Sequence, residues 1–568
     1  MAIMGRRFAL FTLAMLLLSP VAVSAVECNA IDFGAVGDGK TMNTEAINRS
    51  VRVCAQHGGG TVVVPPGDYL SGPVWLQSNI TLRLEQGAVL RGSTDLKDYP
   101  METEPWRGEG EPGHPGLISV KNAKNVAITG RGTIDGSALA FLLADQVLGP
   151  DEGLIKNLTR QGEDFMSPKF GTSYGPFGVP GGQYAGVRPG EMIRIRNCEN
   201  VLISGVTIQN SPNWTVWFSN SKWVDVLGVK IQAPATDRRT PNDDGMDIEN
   251  CRYVHIANTN IWEGDDCIAL FGVEDITVTN CTLSSKSAAI RVGYNGGEIR
   301  NGVFSNLVIH TSNRGILVNV RAGGVIENLL FDNIVIQTQL FTGSWWGKAE
   351  PIHISAVPKA DANPPGVIRN LRFTNIMAES ESGIIIYGTK ESTIQDVVLD
   401  NVRLKIKPGP LSESYGGNFD LRGGVTPQLS VFKHDIPGLF CTYVEGLKIH
   451  GLQLVWDDKL PEFFSHGIEC ENFKNLEIDN FQGKQAQGQA KTSAISLMNG
   501  KGVLILDSVA AEGTQNFLTQ KGVTGGIILD NDLSKARVAI SPSSGFTSSG
   551  NVMPKTYALE TAKAPGAK

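Results

Sequence analysis

From about residue 118 onward, short valine- and isoleucine-rich runs alternate with polar breaks that often carry asparagine. In order they are NVAITGRGTIDG, NVLISGVTIQNS, YVHIANTNIWEG, DITVTNCTLSSK, GVFSNLVIHTSN, NLLFDNIVIQTQ, NLRFTNIMAESE and DVVLDNVRLKIK. A short apolar/polar alternation has the period of a strand, and asparagine between two such runs marks a tight turn. Each unit therefore predicts strand, turn, strand. Recurrence at roughly 20 to 30 residues, without amphipathic helical segments, predicts a solenoid rather than separate domains. The expected fold class is all-β: a single right-handed parallel β-helix, in which each coil buries its inward side chains only when its neighbours stack on it. Inward-facing asparagines are expected to form ladders between coils.

The pattern resumes at NLEIDNFQGK and VLILDSVAAEG, so the β-helix is expected over 118–540, with a flexible tail over 541–568. Residues 26–117 hold the N-terminal cap and first coils. There, TEAINRSVRVCAQ places Ala46, Ile47, Val51 and Cys54 at helical spacing and predicts a helix covering the first coil. Residues 141–190 include GTSYGPFGVPGGQYAG, too rich in glycine and aromatics for a strand, and are expected to form a long loop, either one wall of a cleft or a plain surface excursion.

Composition narrows the partners. The 568 residues carry a formal net charge of −7 and offer no broad basic field, which argues against nucleic acid and anionic membranes. Any acidic substrate must be met by local cations. The opening MAIMGRRFALFTLAMLLLSPVAVSA has a basic start at Arg6 and Arg7, an apolar run short for a membrane anchor, and small residues at Val23, Ser24 and Ala25. A signal peptide over 1–25 and export to a periplasm or the medium follow as expectations. Eight cysteines fit an oxidising compartment. Cys267 with Cys281 is the preferred disulfide, with free buried thiols as the alternative. No CxxC or His-x-x-x-His spacing points to zinc, and neither a metal nor a cofactor is expected. A monomer is expected.

The candidate chemistry is acidic. WEGDDCIAL sets Asp265 beside Asp266, and one interval earlier TPNDDGMDIENC carries Asp243, Asp244 and Asp247. Asp244 and Asp266 are about one coil apart and can stack on one face. Strand alternation alone would send Asp265 and Asp266 to opposite faces, so a shared site needs a bend, which Gly264 is expected to supply. Three carboxylates in a cleft suit glycoside hydrolysis, with one protonated to serve the leaving oxygen and the others ionised to activate water. Repulsion and burial would raise the donor's pKa. Each motif alone is more often structural or calcium-binding.

The motif at Asn242, Asp244, Gly245 and Asp247, followed by GDDCIAL, resembles glycoside hydrolase family 28, the polygalacturonases and their relatives. FGAVGDG, GGGTVVVPPGDYLSGP, GRGTIDG, NSPNWTVW and SWWGKAEPI resemble segments of bacterial members in the same order. The resemblance implies a right-handed β-helix and cofactor-free hydrolysis with inversion. It makes Asp265 the general acid and Asp244 and Asp266 the groups that activate water. Two departures matter. Ala288 stands where the family's Gly-His-Gly histidine would be, and Leu317, Val318 and Asn319 stand where its Arg-Ile-Lys cations hold galacturonate carboxylates. Losing both cations should cost an acidic sugar dearly unless other groups replace them.

Arg291, Arg314 and Arg321, with Arg238 and Arg239, are the replacement candidates, each against the commoner reading as a solvated surface arginine. His353 is a weaker candidate proton partner. Trp345 and Trp346 are expected as a sugar platform, with Glu350 near enough to contact hydroxyls, and Trp214 and Trp217 are similar candidates or core fillers. Tyr294 is placed at the cleft edge. Asn242, Asp247 and Asn319 complete the substrate-binding set. The reading is an exported inverting glycosidase acting on a pectic polysaccharide or oligosaccharide, exo-acting if the 141–190 insertion closes one end of the cleft, on a unit other than plain galacturonate. The alternatives are a β-helical pectin or pectate lyase and a glycan-binding protein that does not cut.

Overall fold

The computed structural model describes residues 26–103, 113–146, 173–176, 188–234, 242–341, 347–359, 364–421, 431–487, 491–540 and 545–555. The signal segment 1–25, Arg238, Arg239, Trp345, Trp346 and most of the 141–190 insertion lie outside the described residues.

The alternating runs become strands that pair in parallel with the equivalent run of the next coil, and forty of them join one continuous ladder. This is the long parallel sheet of a right-handed β-helix. Through the middle of the chain, Glu298–Ser312, Val325–Thr338, Val367–Ser380 and Ile394–Ile406 stack in register, with Phe304, Phe331 and Phe373 facing inward. Their rings stack at 4.7 Å from one coil to the next. Truncating one such ring would cost about 3–5 kcal/mol, because neighbouring coils cannot collapse into the gap without losing register.

The N-terminal edge is covered as expected by a helix over Thr44–Gln56, which buries Ile47, Val51 and Cys54. A disulfide from Cys54 to Cys28 ties the helix to the first strand. A second joins Cys441 to Cys470, which are register partners on adjacent strands. The expected Cys267–Cys281 bond does not form; both thiols are free and buried. These two residues are about half a coil apart and sit at different corners, whereas residues about one coil apart stack as neighbours. Among the described residues no helix is long and apolar enough to cross a membrane.

Three further expectations are corrected. The strand Phe546–Ser549 pairs in parallel with Thr524–Leu529, so the stack continues past residue 540 into the expected tail. Within the insertion, Ser173–Pro176 pairs antiparallel with Leu142–Gln146 despite its glycine-rich sequence. The asparagine ladders exist but face outward. In one, Asn301 Nδ2 donates to Asp275, Asn328 to Asn301, and Asn370 to Asn328, at 3.0, 3.3 and 2.7 Å. In another, Asn200 donates to Asn125 and Asn125 to Asn79. The rungs have φ between 52° and 64°. They stand at turns because asparagine, after glycine, adopts the left-handed region at the lowest cost.

Candidate active site

The carboxylates lie on bends just before two stacked strands, Met246–Ala257 and Ile268–Thr279. Met246 pairs with Ile268, and ahead of that pair Gly245 N donates to the Asp266 carbonyl at 2.8 Å. The one-coil offset read from the sequence is thereby realised. Gly245 is required there, because a Cβ would stand 2.5 Å from the Cys267 carbonyl oxygen. The bend at Asp265 and Asp266 has a different origin from the one expected. Gly264 is not in the left-handed region. Instead Asp243 accepts from Gly264 N at 3.1 Å and Asp265 N at 2.8 Å, clamping the bend from the previous coil. Both aspartates thus escape strand alternation and share one site.

One oxygen each from Asp244, Asp265 and Asp266 lie within 4.8 Å of one another, and all three residues are buried. Asp265 accepts from Asp266 N at 3.0 Å and from Asn242 N at 3.3 Å. Asp266 accepts from Ala288 N at 2.9 Å, so the alanine at the family's histidine position contributes its backbone alone. The cation is Arg291. Its Nε pairs with Asp266 Oδ2, and its Nη2 stands 3.6 Å from Asp244 and 3.9 Å from Asp247. Asp247, Ala269 and Arg291 are register partners on successive strands, and the small Ala269 lets the guanidinium reach across a whole strand. Its charged plane also lies 4.6 Å from the Phe271 ring centre, a favourable cation–π contact.

Among the described residues, four acids gather around the Arg291 guanidinium. Burial first, then Asp247, Asp265 and Asp266, drive the Asp244 pKa well above the usual carboxylate range, with Arg291 opposing them. Burial alone would discharge Arg291, yet Asp266, Asp244, Asp247 and Asp265 hold its pKa above the ordinary value. Deeper still, burial and then Asp243 raise Glu263.

The remaining candidates separate into two groups. Tyr294 lies between two guanidiniums, 5.1 Å from Arg291 and 4.4 Å from Arg321, and so joins the carboxylate site. Asn319 is buried beside Gly293, its register partner. Trp214 stacks on Phe271 at 6.3 Å, whereas Trp217 is buried and donates to Glu249 at 3.1 Å. Arg314 and Glu350, expected at substrate, pair with each other in the interior at 3.3 Å, and Arg314 also reaches Asp420 at 3.4 Å. His353 is buried with them, Nδ1 3.8 Å from Glu350 and Nε2 3.0 Å from Ser355 Oγ. Burial, then Arg314, lower its pKa.

Sequence reasoning missed Asp243 as the clamp, although its place in the Asp-Asp doublet was a signal. It also missed Arg188, which is buried and donates to Asn242 Oδ1 at 3.3 Å and to the Pro212 carbonyl at 2.7 Å. Arg188 is far from the acidic motif in sequence, and no local pattern marks it.

Clustered, buried carboxylates on a parallel β-helix are the arrangement a β-helical glycosidase requires. Residues 183–415 match the model of glycosyl hydrolases family 28, and residues 28–93 match a rhamnogalacturonase A/epimerase, pectate lyase-like model. The chain is 28% identical over 425 residues to a probable polygalacturonase of Vitis vinifera, covering 69% of this chain and 77% of that one. It is 24% identical to an exo-poly-alpha-D-galacturonosidase of Dickeya chrysanthemi, over 64% of this chain and 58% of the relative. Its fold is similar to that of a family 28 exopolygalacturonase of Yersinia enterocolitica, with TM-score 0.56, 20% identity, and coverage of 82% and 79%. An exopolygalacturonase of Thermotoga maritima gives TM-score 0.53 at 23% identity, with coverage of 67% and 87%. Over residues 183–415 the chain carries the glycosyl hydrolases family 28 region, and it is a polygalacturonase-like glycosidase.

Proposed function

We propose that this glycosidase cleaves glycosidic bonds in a pectic polysaccharide or oligosaccharide by inverting acid/base hydrolysis. Asp265 protonates the leaving oxygen, and Asp244 and Asp266 activate the water. The observation that carries the reading is the buried meeting of the three carboxylates around Arg291. A calcium-dependent lyase would need that cluster free for the ion, whereas the guanidinium already neutralises part of its charge.

At the position of the family's cation triplet stand Leu317, Val318 and Asn319, none of which can pair with a carboxylate by charge. The unit bound there is therefore proposed to be neutral, as in a rhamnose-containing, xylose-decorated or esterified chain. Arg321 beside Tyr294 is a replacement cation. Exo action is proposed from the 141–190 insertion, and the Dickeya relative's name is consistent with it; rapid viscosity loss before much reducing sugar appears would contradict it.

The experiment is product analysis on a panel of pectic polymers and oligosaccharides with calcium chelated. New reducing ends without unsaturated product are expected, reduced at least ~1000-fold by Asp265→Asn. Calcium-dependent unsaturated product would establish the lyase instead. Stereochemistry needs its own measurement, because oxygens within 4.8 Å are closer than the ~6.5–9.5 Å usual between acid and base in inverting enzymes. Proton NMR of the first-formed anomer decides it, and a retained anomer would assign one aspartate as nucleophile.

A further inference from the structure

Far along the same outer face lies a second cluster that the reaction does not use. Successive register partners Arg291, Leu317, His353, Ile385, Phe440 and Glu469 run up the stack, which places Glu469 five strand steps from Arg291, roughly 24 Å at ~4.8 Å per step. Glu469 and Glu471 alternate on the strand Ile468–Asp479 and so project to one side. Cys470 between them is held to Cys441 of the neighbouring coil, which fixes the backbone beneath both acids.

His434 closes over this pair from the segment that follows Val431–Phe432. Its ring stacks on Phe432 at 4.9 Å and lies 4.8 Å from Phe440. Its Nδ1 contacts the Asp435 carbonyl, which can only accept, so Nδ1 carries the proton and Nε2 is directed toward Glu469. The Nε2 to Glu469 Oε1 distance is 3.7 Å. That is too long for a hydrogen bond, yet near the roughly 3.4 Å that separates two ligand atoms each ~2.0–2.2 Å from one tetrahedral zinc. One atom each of His434, Glu469 and Glu471 lie within 4.8 Å of one another. Glu469 is only 7% exposed, and among the described residues its Oε2 has no hydrogen-bond partner. A buried carboxylate oxygen left without a donor is costly unless something else meets it.

We infer that His434, Glu469 and Glu471 form a binding site for a divalent transition-metal ion of the zinc type. One imidazole and two carboxylates suit such an ion, whereas calcium takes six to eight oxygens. The second imidazole nitrogen bonded to a carbonyl is the outer-shell arrangement that orients metal-binding histidines. His434 and Glu471 are half-buried, which leaves a path for the ion and for water to complete the coordination. The metal would tie the Val431–Asp435 segment to the sheet.

The test titrates the chelator-dialysed protein with Zn²⁺ by calorimetry and with Co²⁺ by visible absorption, with Ca²⁺ in parallel. One equivalent of Zn²⁺ or Co²⁺ is expected to bind, with Co²⁺ giving ligand-field bands. His434→Ala and Glu469→Gln should each weaken binding at least ~10-fold. Asp244→Asn, which alters the other carboxylate cluster, should leave it unchanged. Glu471→Gln supplies an independent variant should either of the first two fail to fold. No binding by the wild type, equal affinity in folded variants, or preference for Ca²⁺ over Zn²⁺ would overturn the assignment.

Discussion

Two clusters of buried charge lie on neighbouring coils of one stack, and they treat their acids in opposite ways. Around Arg291 the acids outnumber the cation, and burial with neighbouring aspartates pushes Asp244 upward. Around Arg314 the acids are matched. Glu350 pairs with that arginine and accepts from Lys348 N at 2.7 Å and Asp420 N at 3.2 Å. Burial would raise Glu350 too, but Arg314, then His353 and the Lys348 N–H, hold it well below the usual range. Lys348 completes the second cluster, its Nζ donating to the Tyr415 carbonyl at 2.9 Å, with burial lowering its pKa to about 7. The lesson is that burial alone does not mark a reactive acid; the local balance of charges and donors does.

The strongest way to break this contrast is Arg291→Gln. Removing the guanidinium that pairs with Asp266 and reaches Asp244 and Asp247 should lower kcat about 100-fold, since one preorganised charge in such a site is worth ~2.7–4 kcal/mol at its upper range. Arg291 lowers Asp244, so its loss raises that pKa further and should move the acid limb of the pH–kcat profile to higher pH. An unchanged limb would remove Asp244 as the base.

Next comes Glu350→Gln, which should destabilise the fold by about 3 kcal/mol in urea unfolding by leaving buried Arg314 with Asp420 as its remaining acid. Folded molecules should keep kcat within about tenfold. Because the folded pKa of Glu350 is depressed, its stabilisation is fully present above the ordinary glutamate range and is lost progressively as pH falls from that range to the much lower folded value. The gap between wild type and variant should therefore begin to narrow below the ordinary glutamate range and close in strong acid.

Asp244→Asn should act in the opposite sense. The Asp244 pKa is raised by folding, so its contribution is present below the ordinary aspartate range and is lost as pH rises through the folded value. The variant should be more stable than wild type by about 1 kcal/mol at pH 8, with the difference vanishing near pH 4. Equal stability at both pH values would show that Arg291 already compensates the charge.

The smallest effect is a thiol titration. Cys198, Cys251, Cys267 and Cys281 should be unreactive in the native protein and titrate on denaturation without reductant. Loss of the Cys267 and Cys281 signals would restore the disulfide first expected.

The solenoid was legible because its period repeats many times, and each repeat carries the same strand alternation and the same turn residue. The aspartate triad was legible because one coil of sequence equals one step of the stack, so Asp244 and Asp266 align by counting. What counting could not give was the third dimension of charge. Arg314 and Arg291 look alike in sequence, each on a short apolar strand, and only the folded neighbours separate them: Glu350 and Asp420 for one, Asp244, Asp247 and Asp266 for the other. Glycine is the usual residue at a bend, which points to Gly264; a donor–acceptor clamp from Asp243 makes the bend instead, with no left-handed backbone at that glycine. The Cys267–Cys281 pairing failed for a related reason, since closeness along a coil is not closeness across it.

The outward asparagine column has a direction. At each rung from Asp275 through Asn301 and Asn328 to Asn370, the amide of the later residue donates to the oxygen of the earlier one. An acid can therefore begin such a column, as Asp275 does, but it cannot relay a proton donor through it, and the next position, Asp396, brings no amide to Asn370. The same polarity sets how the protein ages. Spontaneous deamidation of Asn301 would break its bond to Asp275 and set two carboxylates against each other, whereas Asp275 has no amide to lose. Chemical wear should thus begin inside the column rather than at its first rung, and peptide mapping of stored protein would read out which rung goes first.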